Sequence, residues 1–179
     1  MGIYESRRVV KYSFLLISIV AIIVFLLISN SLVKELAQQE RDRMDIWAKA
    51  TEKLAKSNVD SDFEFLLMII SQNNSIPVLV ADEDFNILEF RNFELPDKDD
   101  ASESYDELSK NRNFLSRRLH KAAQGRSLHE LAAAGNHFIE VEIYANNYQY
   151  IYYEDSILLK RLSLYPYVQL VVMVFLAMV

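Results

Sequence analysis

Hydrophobic and polar residues follow three different patterns along the chain. Two stretches carry no charged residue: residues 12–33, which are dense in Leu, Ile, Val and Phe, and residues 162–179, which are strongly apolar from Leu170 onward. At a rise of 1.5 Å per residue, a helix over the first stretch is about 33 Å long, enough for the core of a bilayer. We therefore predict one transmembrane helix over residues 12–33, and a linker helix with a second span over residues 156–179.

The segment 34–57 contains neither Gly nor Pro, and its apolar residues recur at alternating spacings of three and four. This pattern predicts an extended helix with a heptad seam, interrupted by Glu40 and Thr51. Such a seam either pairs with a second copy of the chain in a parallel homodimer or packs against the chain's own domain. The candidate seam residues are Ala37, Met44, Trp47 and Leu54.

Residues 58–155 have the patterns of a small α+β domain. We expect a short apolar helix from Phe63 to Ser71, a hairpin from residue 76 to 91, helices from 105 to 134 that break near Gly125, and a second hairpin from 137 to 154. If Asn146 and Asn147 form a two-residue turn, Val141 pairs with Tyr152 and Ile143 with Tyr150. The core face of the second hairpin then collects Ile139, Val141, Ile143, Tyr148, Tyr150 and Tyr152.

The predicted fold class is therefore α+β. Two transmembrane helices flank a small antiparallel-sheet domain, and a long helix leads into that domain. Ser156 follows Asp155 at the expected N-terminus of the linker helix, which makes that helix a candidate for signal transmission. Pro166 lies within the same helix, where it acts as a pivot or marks the point at which the helix enters the bilayer.

Charge gives an orientation to these predicted spans. The flank formed by residues 1–11 carries Arg7, Arg8 and Lys11 against the single acid Glu5. The positive-inside rule places this flank in the cytoplasm and residues 34–161 on the outer side of the membrane. A cleaved signal peptide is the alternative for the first span. Because the chain stops inside its second apolar stretch, we expect it to be the front part of a longer protein.

Composition excludes several kinds of chemistry. The 179 residues include no Cys and three Gly, and the formal charge is −6. Without Cys the chain has no disulfide, thiolate metal site or thiol nucleophile. Three glycines do not make a glycine-rich phosphate loop, and the acidic balance argues against a general nucleic-acid binder. We expect no catalytic residue and no cofactor in this chain.

Two groups of polar residues are candidate binding sites. The stretch from 60 to 107 is strongly acidic, and Asp82-x-Asp84-x-Asn86 has the alternating oxygens of a calcium loop without its glycine or distal glutamate. A turn with solvated carboxylates is the alternative. A second candidate is a small ligand pocket lined by tyrosines, with cross-strand packing as its alternative. The candidate cation ligands are Asp82, Asp84, Asp97, Asp99 and Asp100, and the candidate pocket residues are Tyr148, Tyr150 and Tyr152.

Two blocks of sequence carry a resemblance to a known family. Ile76 to Asp82 with Asn86 to Asn92 resembles the first hairpin of a Per-Arnt-Sim-like sensor. Residues 150–156, 158–162 and 165–170 resemble the end of the sensor region in membrane histidine kinases of Bacteroidetes-type bacteria. The sensor sheets of this family usually have five strands, one more than the four predicted here.

The resemblance implies the sensor and transmembrane part of a two-component histidine kinase. It also implies a bacterial inner membrane, with residues 34–161 in the periplasm. ATP, Mg²⁺ and the response regulator would then belong to a cytoplasmic part that follows this chain. The leading hypothesis is an extracytoplasmic sensor that responds to an unknown small ligand or envelope signal. The alternatives are a membrane-anchored, non-enzymatic scaffold that binds partners, and a receptor with a different cytoplasmic output.

Overall fold

The computed structural model describes residues 3–56, 63–96, 104–135 and 137–178. By contacts the chain divides into two compact units, one made of Met1–Gln38 with Leu158–Val179 and the other of Gln39–Ile157. The described helices are α1 Ile3–Lys56, α2 Phe63–Ser71, α3 Ser104–Ala123, α4 Leu128–Ala134 and α5 Ile157–Met178. The described strands are β1 Val78–Ala81, β2 Ile87–Arg91, β3 Phe138–Tyr144 and β4 Asn147–Tyr153.

The four strands form one antiparallel sheet in the order β2-β1-β4-β3. Each hairpin keeps its two strands adjacent, and the first and last strands pair with each other in the middle of the sheet. Val78 at the start of β1 lies opposite Tyr153 at the end of β4. The predicted α+β class with a four-stranded antiparallel sheet is confirmed. This pairing also places the points where the chain enters and leaves the sheet beside each other.

Helices cover both faces of the sheet, so the domain has two cores. The first core lies between one face and the helices α1 and α2, and it includes Met44, Trp47, Leu66, Ile70 and Val80. The second core lies between the other face and the helices α3 and α4, and it includes Leu79, Leu115, Leu119, Leu131 and Tyr150. Every residue of β1 is buried, as expected for a strand covered on both sides.

The predicted register of the second hairpin is wrong, and the residues predicted for a single core face are divided between the two faces of the sheet. Tyr152 pairs with Phe138 rather than with Val141, and the pairing shifts between Glu142 and Tyr144. As a result, Val141 belongs to the first core together with Ile139, Ile143, Ile151 and Tyr153, whereas the second core receives Phe138, Tyr148, Tyr150 and Tyr152. The alternation of β4 could not reveal this, because a strand buried on both faces carries apolar residues at successive positions.

Local backbone chemistry explains the other boundaries. Helix α3 ends before Gln124 and Gly125, which both have positive φ, so the predicted break near Gly125 is confirmed. The Ser127 side chain accepts a hydrogen bond from the Glu130 N–H and caps the start of α4. Gly135 ends the same helix in the left-handed conformation, with φ of 71°. The helical and hairpin segments expected from residue 63 to 153 therefore all occur.

The unit made of Met1–Gln38 and Leu158–Val179 is helical wherever it is described. Its exposed side chains include many large apolar ones, such as Ile17, Leu27, Val171 and Phe175. Helices α1 and α5 are each long and apolar enough to cross a membrane. Helix α1 continues without interruption from the first apolar stretch into the segment 34–56, and α5 continues through Pro166.

Candidate functional sites

A carboxylate on α1 binds the residue that immediately precedes α5. One Glu40 oxygen accepts a hydrogen bond from the Ser156 N–H at 3.0 Å, and the other accepts one from the Ser156 hydroxyl. Ser156 is 2% exposed, so its polar atoms depend on partners within the protein. A negative charge near the first turn of α5 also interacts favourably with the helix dipole. Glu40, which interrupts the predicted seam, is therefore a structural residue of the domain.

Backbone hydrogen bonds hold the adjacent ends of the sheet in the same way. The Glu154 N–H donates to the Pro77 carbonyl at 3.0 Å, just before β1 and just after β4. The Tyr153 N–H donates to the His137 carbonyl, also at 3.0 Å, and a His137 ring nitrogen lies 3.1 Å from the Tyr153 carbonyl oxygen. The segment from β4 to the start of α5 is thus fixed to both β1 and α1.

A cavity of about 410 Å³ lies beside the first core, between α1, α2 and the segment before β1. Its apolar wall is formed by Met44, Trp47 and Ile76, which are 0–3% exposed, together with Ile46 and Ile69. Its remaining lining residues are polar, and one of them is cationic: Arg43, Gln72, Asn73 and Ser75. This combination of an apolar wall with a few polar groups is typical of small-molecule sites.

A second cavity of about 520 Å³ opens where α1, α4 and the β3–β4 hairpin approach each other. Charged residues from three elements line it, including Arg41, Asp45, His129 and Glu140. A His129 ring nitrogen lies 2.5 Å from a Glu140 carboxylate oxygen, and the His129 side chain is 71% exposed. Since the His129 and Glu140 side chains already contact each other, this cavity is a weaker candidate than the first one.

The three candidate pocket tyrosines pack into the second core. Tyr150 is 4% exposed, and the Tyr152 ring lies 4.9 Å from the Phe138 ring between centroids. Burial, with added effects from Glu140 and Glu83, raises the pKa of Tyr150 to about 12. Burial, together with Glu154, raises the pKa of Tyr152. Neither of the two cavities above is lined by these tyrosines, so their position favours cross-strand packing, the alternative that the sequence left open.

The acidic residues described by the structure stabilise a turn. One Asp82 oxygen accepts hydrogen bonds from the N–H groups of Asp84 and Asn86, at 3.0 and 2.8 Å, and the other accepts one from the Asn86 side chain. These bonds close the β1–β2 turn, in which Phe85 has a φ of 64°. Among the described residues, no group of three or more acidic or histidine side chains could hold a metal ion. The remaining candidate cation ligands lie outside the described residues: Asp97, Asp99 and Asp100.

The candidate seam residues are divided between different environments. Met44 and Trp47 are buried in the first core, and Leu54 packs against it while partly exposed. The Trp47 indole N–H donates to the Ile70 carbonyl at 3.1 Å, which ties α1 to α2. Ala37 is exposed. The burial of Met44 and Trp47 within their own domain favours the other alternative, packing within the chain.

No protein-family model, curated protein or solved structure matches this chain. The functional argument therefore depends on the geometry above and on the resemblance carried by the two sequence blocks. The sequence pointed to Ser156 through its position at the start of a helix. It gave no signal for Glu40 as the partner of Ser156, because 116 positions separate the two residues.

Proposed function

We propose that this chain is the extracytoplasmic sensing and transmembrane-signalling part of a receptor, with histidine-kinase output as the resemblance implies. The observation that carries the proposal is the hydrogen bonding of Ser156 to Glu40. These two residues belong to the same domain, and each lies on or directly before a helix that contains a candidate membrane span. A change in the domain that alters this contact would change both helices where they leave it.

The sheet supports the same mechanism. Its first and last strands are neighbours, so a rearrangement of β1 or β4 acts directly on the bond between Glu154 and Pro77. Signalling requires two states of the domain that differ in their affinity for the signal. In the proposed mechanism, the contact between Glu40 and Ser156 is kept in one state and altered in the other, and α5 transmits the difference across the bacterial inner membrane.

Membrane topology is the first test. Because the chain has no Cys, a single introduced Cys can be labelled without background. We expect Ser109→Cys, on an exposed part of α3, to react with a membrane-impermeant maleimide added to intact spheroplasts. Ser6→Cys, in the N-terminal flank, should react only after lysis. Labelling of Ser6→Cys but not of Ser109→Cys in intact spheroplasts would reverse the proposed orientation.

Signal output is the decisive test. Residues 1–179 are fused to the cytoplasmic part of a histidine kinase whose response regulator drives a fluorescent reporter. We expect Glu40→Ala and Ser156→Ala to shift the basal reporter level in the same direction at equal protein level, since both remove the same contact. Ser109→Ala on exposed α3 is the control and should leave the output unchanged. An unchanged output in both of the first two variants would exclude a signalling role for this contact.

A second candidate function is a non-enzymatic scaffold that binds a partner at the membrane. It is favoured by the outward face of α2, where four large apolar side chains are 43–57% exposed: Phe63, Phe65, Leu67 and Met68. Exposed apolar groups of this kind often mark interaction surfaces. Site-specific photo-crosslinking from position 65 in cells tests it. Two results together would support the scaffold instead of the sensor: a partner protein crosslinked at position 65, and a kinase fusion whose reporter output is not regulated.

A further inference from the structure

We infer that the cavity beside the first core is a binding site for a small amphipathic carboxylate, a molecule with an anionic head and a short apolar tail. The inference deepens the proposed sensor function, and the regulatory meaning of this site rests on that function. Binding of the carboxylate does not rest on the sensor function, because it is a property of the domain formed by Gln39–Ile157. The lining residues of this cavity all belong to that domain.

The apolar part of the ligand is specified by the wall of the cavity. Ile46 is 56% exposed and Ile69 is partly exposed, so these two side chains offer the apolar surface that a ligand can cover. Met44, Trp47 and Ile76, which are 0–3% exposed, form the closely packed back of the same wall. The indole N–H of Trp47 is already bonded to the Ile70 carbonyl. Trp47 therefore offers the cavity no hydrogen-bond donor, and an aliphatic tail is the group that gains most from covering Ile46 and Ile69.

The head of the ligand is specified by Arg43. This residue is exposed, and its side chain makes no ion pair or hydrogen bond with any residue in the described part of the chain. On a helix, its neighbours at three and four positions are Gln39, Glu40, Ile46 and Trp47. Glu40 is the one acid among them, and it is bonded to Ser156. Arg43 thus keeps a guanidinium at the cavity without a carboxylate partner.

A carboxylate matches this group in shape and in charge, because Arg43 is the one Lys or Arg among the described lining residues and a carboxylate carries a single negative charge. The planar guanidinium presents parallel N–H donors whose spacing fits the two oxygens of a carboxylate. Gln72 and Ser75 supply further polar groups among the lining residues, while the Asn73 side chain is bonded to the backbone of Ile76. The cavity volume of about 410 Å³ falls in the range of small-molecule sites.

The site lies between elements that the proposed mechanism uses. Arg43 and Trp47 are on α1, one and two helical turns beyond Glu40. Ile69 and Gln72 are on α2 or directly after it, and Ile76 precedes β1. A bound carboxylate would join α1 to α2 and to the start of the sheet. Its binding would therefore favour one arrangement of α1 relative to these elements.

Trp47 is the single tryptophan of the chain and lines this cavity, so its fluorescence responds to a change at the cavity. We propose titrating the purified full-length chain in nanodiscs with hexanoate, and with 1-hexanol as a neutral probe of equal tail length. We expect a saturable change in Trp47 emission with hexanoate and at least about tenfold weaker binding in Arg43→Gln, because a hydrogen-bonded charge pair is lost. Arg43→Lys, which keeps the charge without the planar fork, should be intermediate.

Lys49→Gln is the matched control, since Lys49 is an exposed cation on the same helix that does not line the cavity. It should bind hexanoate as the unchanged chain does. The absence of saturation, an equal response to 1-hexanol, or equal binding by Arg43→Gln would each overturn the inference. These results are independent of the reporter fusion, so a chain that signals without binding hexanoate refutes the ligand assignment and leaves the sensor proposal intact.

Discussion

The two faces of the sheet are covered by helices of different kinds. On the first core lie α1, which contains a candidate membrane span, and α2, which has an exposed apolar outer face. On the second core lie α3 and α4, which begin and end within the domain. The first core adjoins the cavity with Arg43 and includes the helix that carries Glu40. The second core contains the stacked Phe138 and Tyr152 rings and the buried Tyr150.

This difference indicates that the two faces of the sheet have different roles in the proposed receptor. A core that borders a cavity and packs against a helix with a candidate membrane span can change its arrangement at modest cost, since part of its surface is not closely packed. A core formed by aromatic and leucine side chains of internal elements resists such changes. In the proposed receptor, the second core maintains the sheet while the first core and α1 respond to the ligand. The following predictions address this comparison, from the largest expected effect to the smallest.

The largest effect is expected for a cavity created in the second core. Leu115 is completely buried on α3, so Leu115→Ala should lower the free energy of unfolding by about 3–5 kcal/mol. Met44→Ala removes a completely buried side chain that already borders a cavity in the first core, and should cost less, about 2–3 kcal/mol. Urea unfolding of the full chain followed by circular dichroism measures both.

Arg112→Ala, an exposed position on the same helix as Leu115, is the control and should change stability by less than about 0.5 kcal/mol. Equal losses for Leu115→Ala and Met44→Ala would show that the two cores are packed alike. That result would remove the basis for assigning rigidity to one face and adaptability to the other.

The second prediction uses the titration of Tyr150 in the second core. Its pKa is raised from 10.0 to about 12, so the folded state holds the phenol proton more tightly than the unfolded state does. The resulting stabilisation is fully present below pH 10 and is lost as the pH rises from about 10 to about 12. Over that window the free energy of unfolding should fall by up to about 3 kcal/mol from this group, since each pKa unit corresponds to about 1.4 kcal/mol.

The measurement is the urea midpoint between pH 9 and pH 12 for the unchanged chain and for Tyr150→Phe. Phenylalanine cannot ionise, so the decline should be shallower in this variant by the contribution of Tyr150. If the two declines were parallel, the phenol would not be held in a buried environment. The packing of the second core around β4 would then differ from the arrangement described here.

The sequence predicted the elements well because their periodicity is strong and their boundaries carry turn residues. Gly125 and Gly135 end helices at positive φ, and the change of period near Ile76 marks the beginning of the sheet. The register of β4 could not be read in this way, since Tyr150 and Ile151 are both buried on opposite faces. One face of a strand cannot be recognised by its alternation when both faces are covered.

The candidate sites were harder to predict for a related reason. The sequence marked Tyr148, Tyr150 and Tyr152 by their composition, but composition does not distinguish a pocket lining from aromatic packing. It marked Met44 and Trp47 by a heptad spacing that also fits a helix packed on a sheet. The cavity and the Glu40–Ser156 contact depend on residues that come together only through tertiary structure.

The third prediction concerns the contact between Glu40 and Ser156. Ser156→Ala removes the hydroxyl bonded to the carboxylate and should cost about 1–3 kcal/mol. A double-mutant cycle with Glu40→Ala isolates the coupling, which we expect to be about 1–2 kcal/mol. Ser109→Ala, whose exposed hydroxyl donates to the Asp106 carbonyl, is the control. A coupling near zero would mean that this contact does not hold α1 to the residue before α5.

The smallest effect is expected at the β1–β2 turn. Asp82→Ala removes the carboxylate that accepts from the N–H groups of Asp84 and Asn86, and should cost about 1 kcal/mol because the turn is largely exposed. The turn also holds Phe85, which packs against the second core with its ring 4.8 Å from that of His120. Loss of the turn should therefore weaken the second core slightly while hexanoate binding at the cavity stays unchanged.

The Asp82→Ala variant also shows whether Asp82 acts as a structural carboxylate or as a cation ligand. Asp84→Asn is the control, since the Asp84 side chain is exposed and its N–H, which donates to Asp82, is retained. A Ca²⁺ concentration of about 5 mM is of the order of the dissociation constants of the weakest extracellular calcium sites. If Asp82 acts through the turn, this concentration should leave the melting temperature of the unchanged chain where it was. A calcium-dependent rise that is absent from both Asp82→Ala and Asp84→Asn would instead place a cation at this turn, because a bound ion stabilises only the folded chain that holds it.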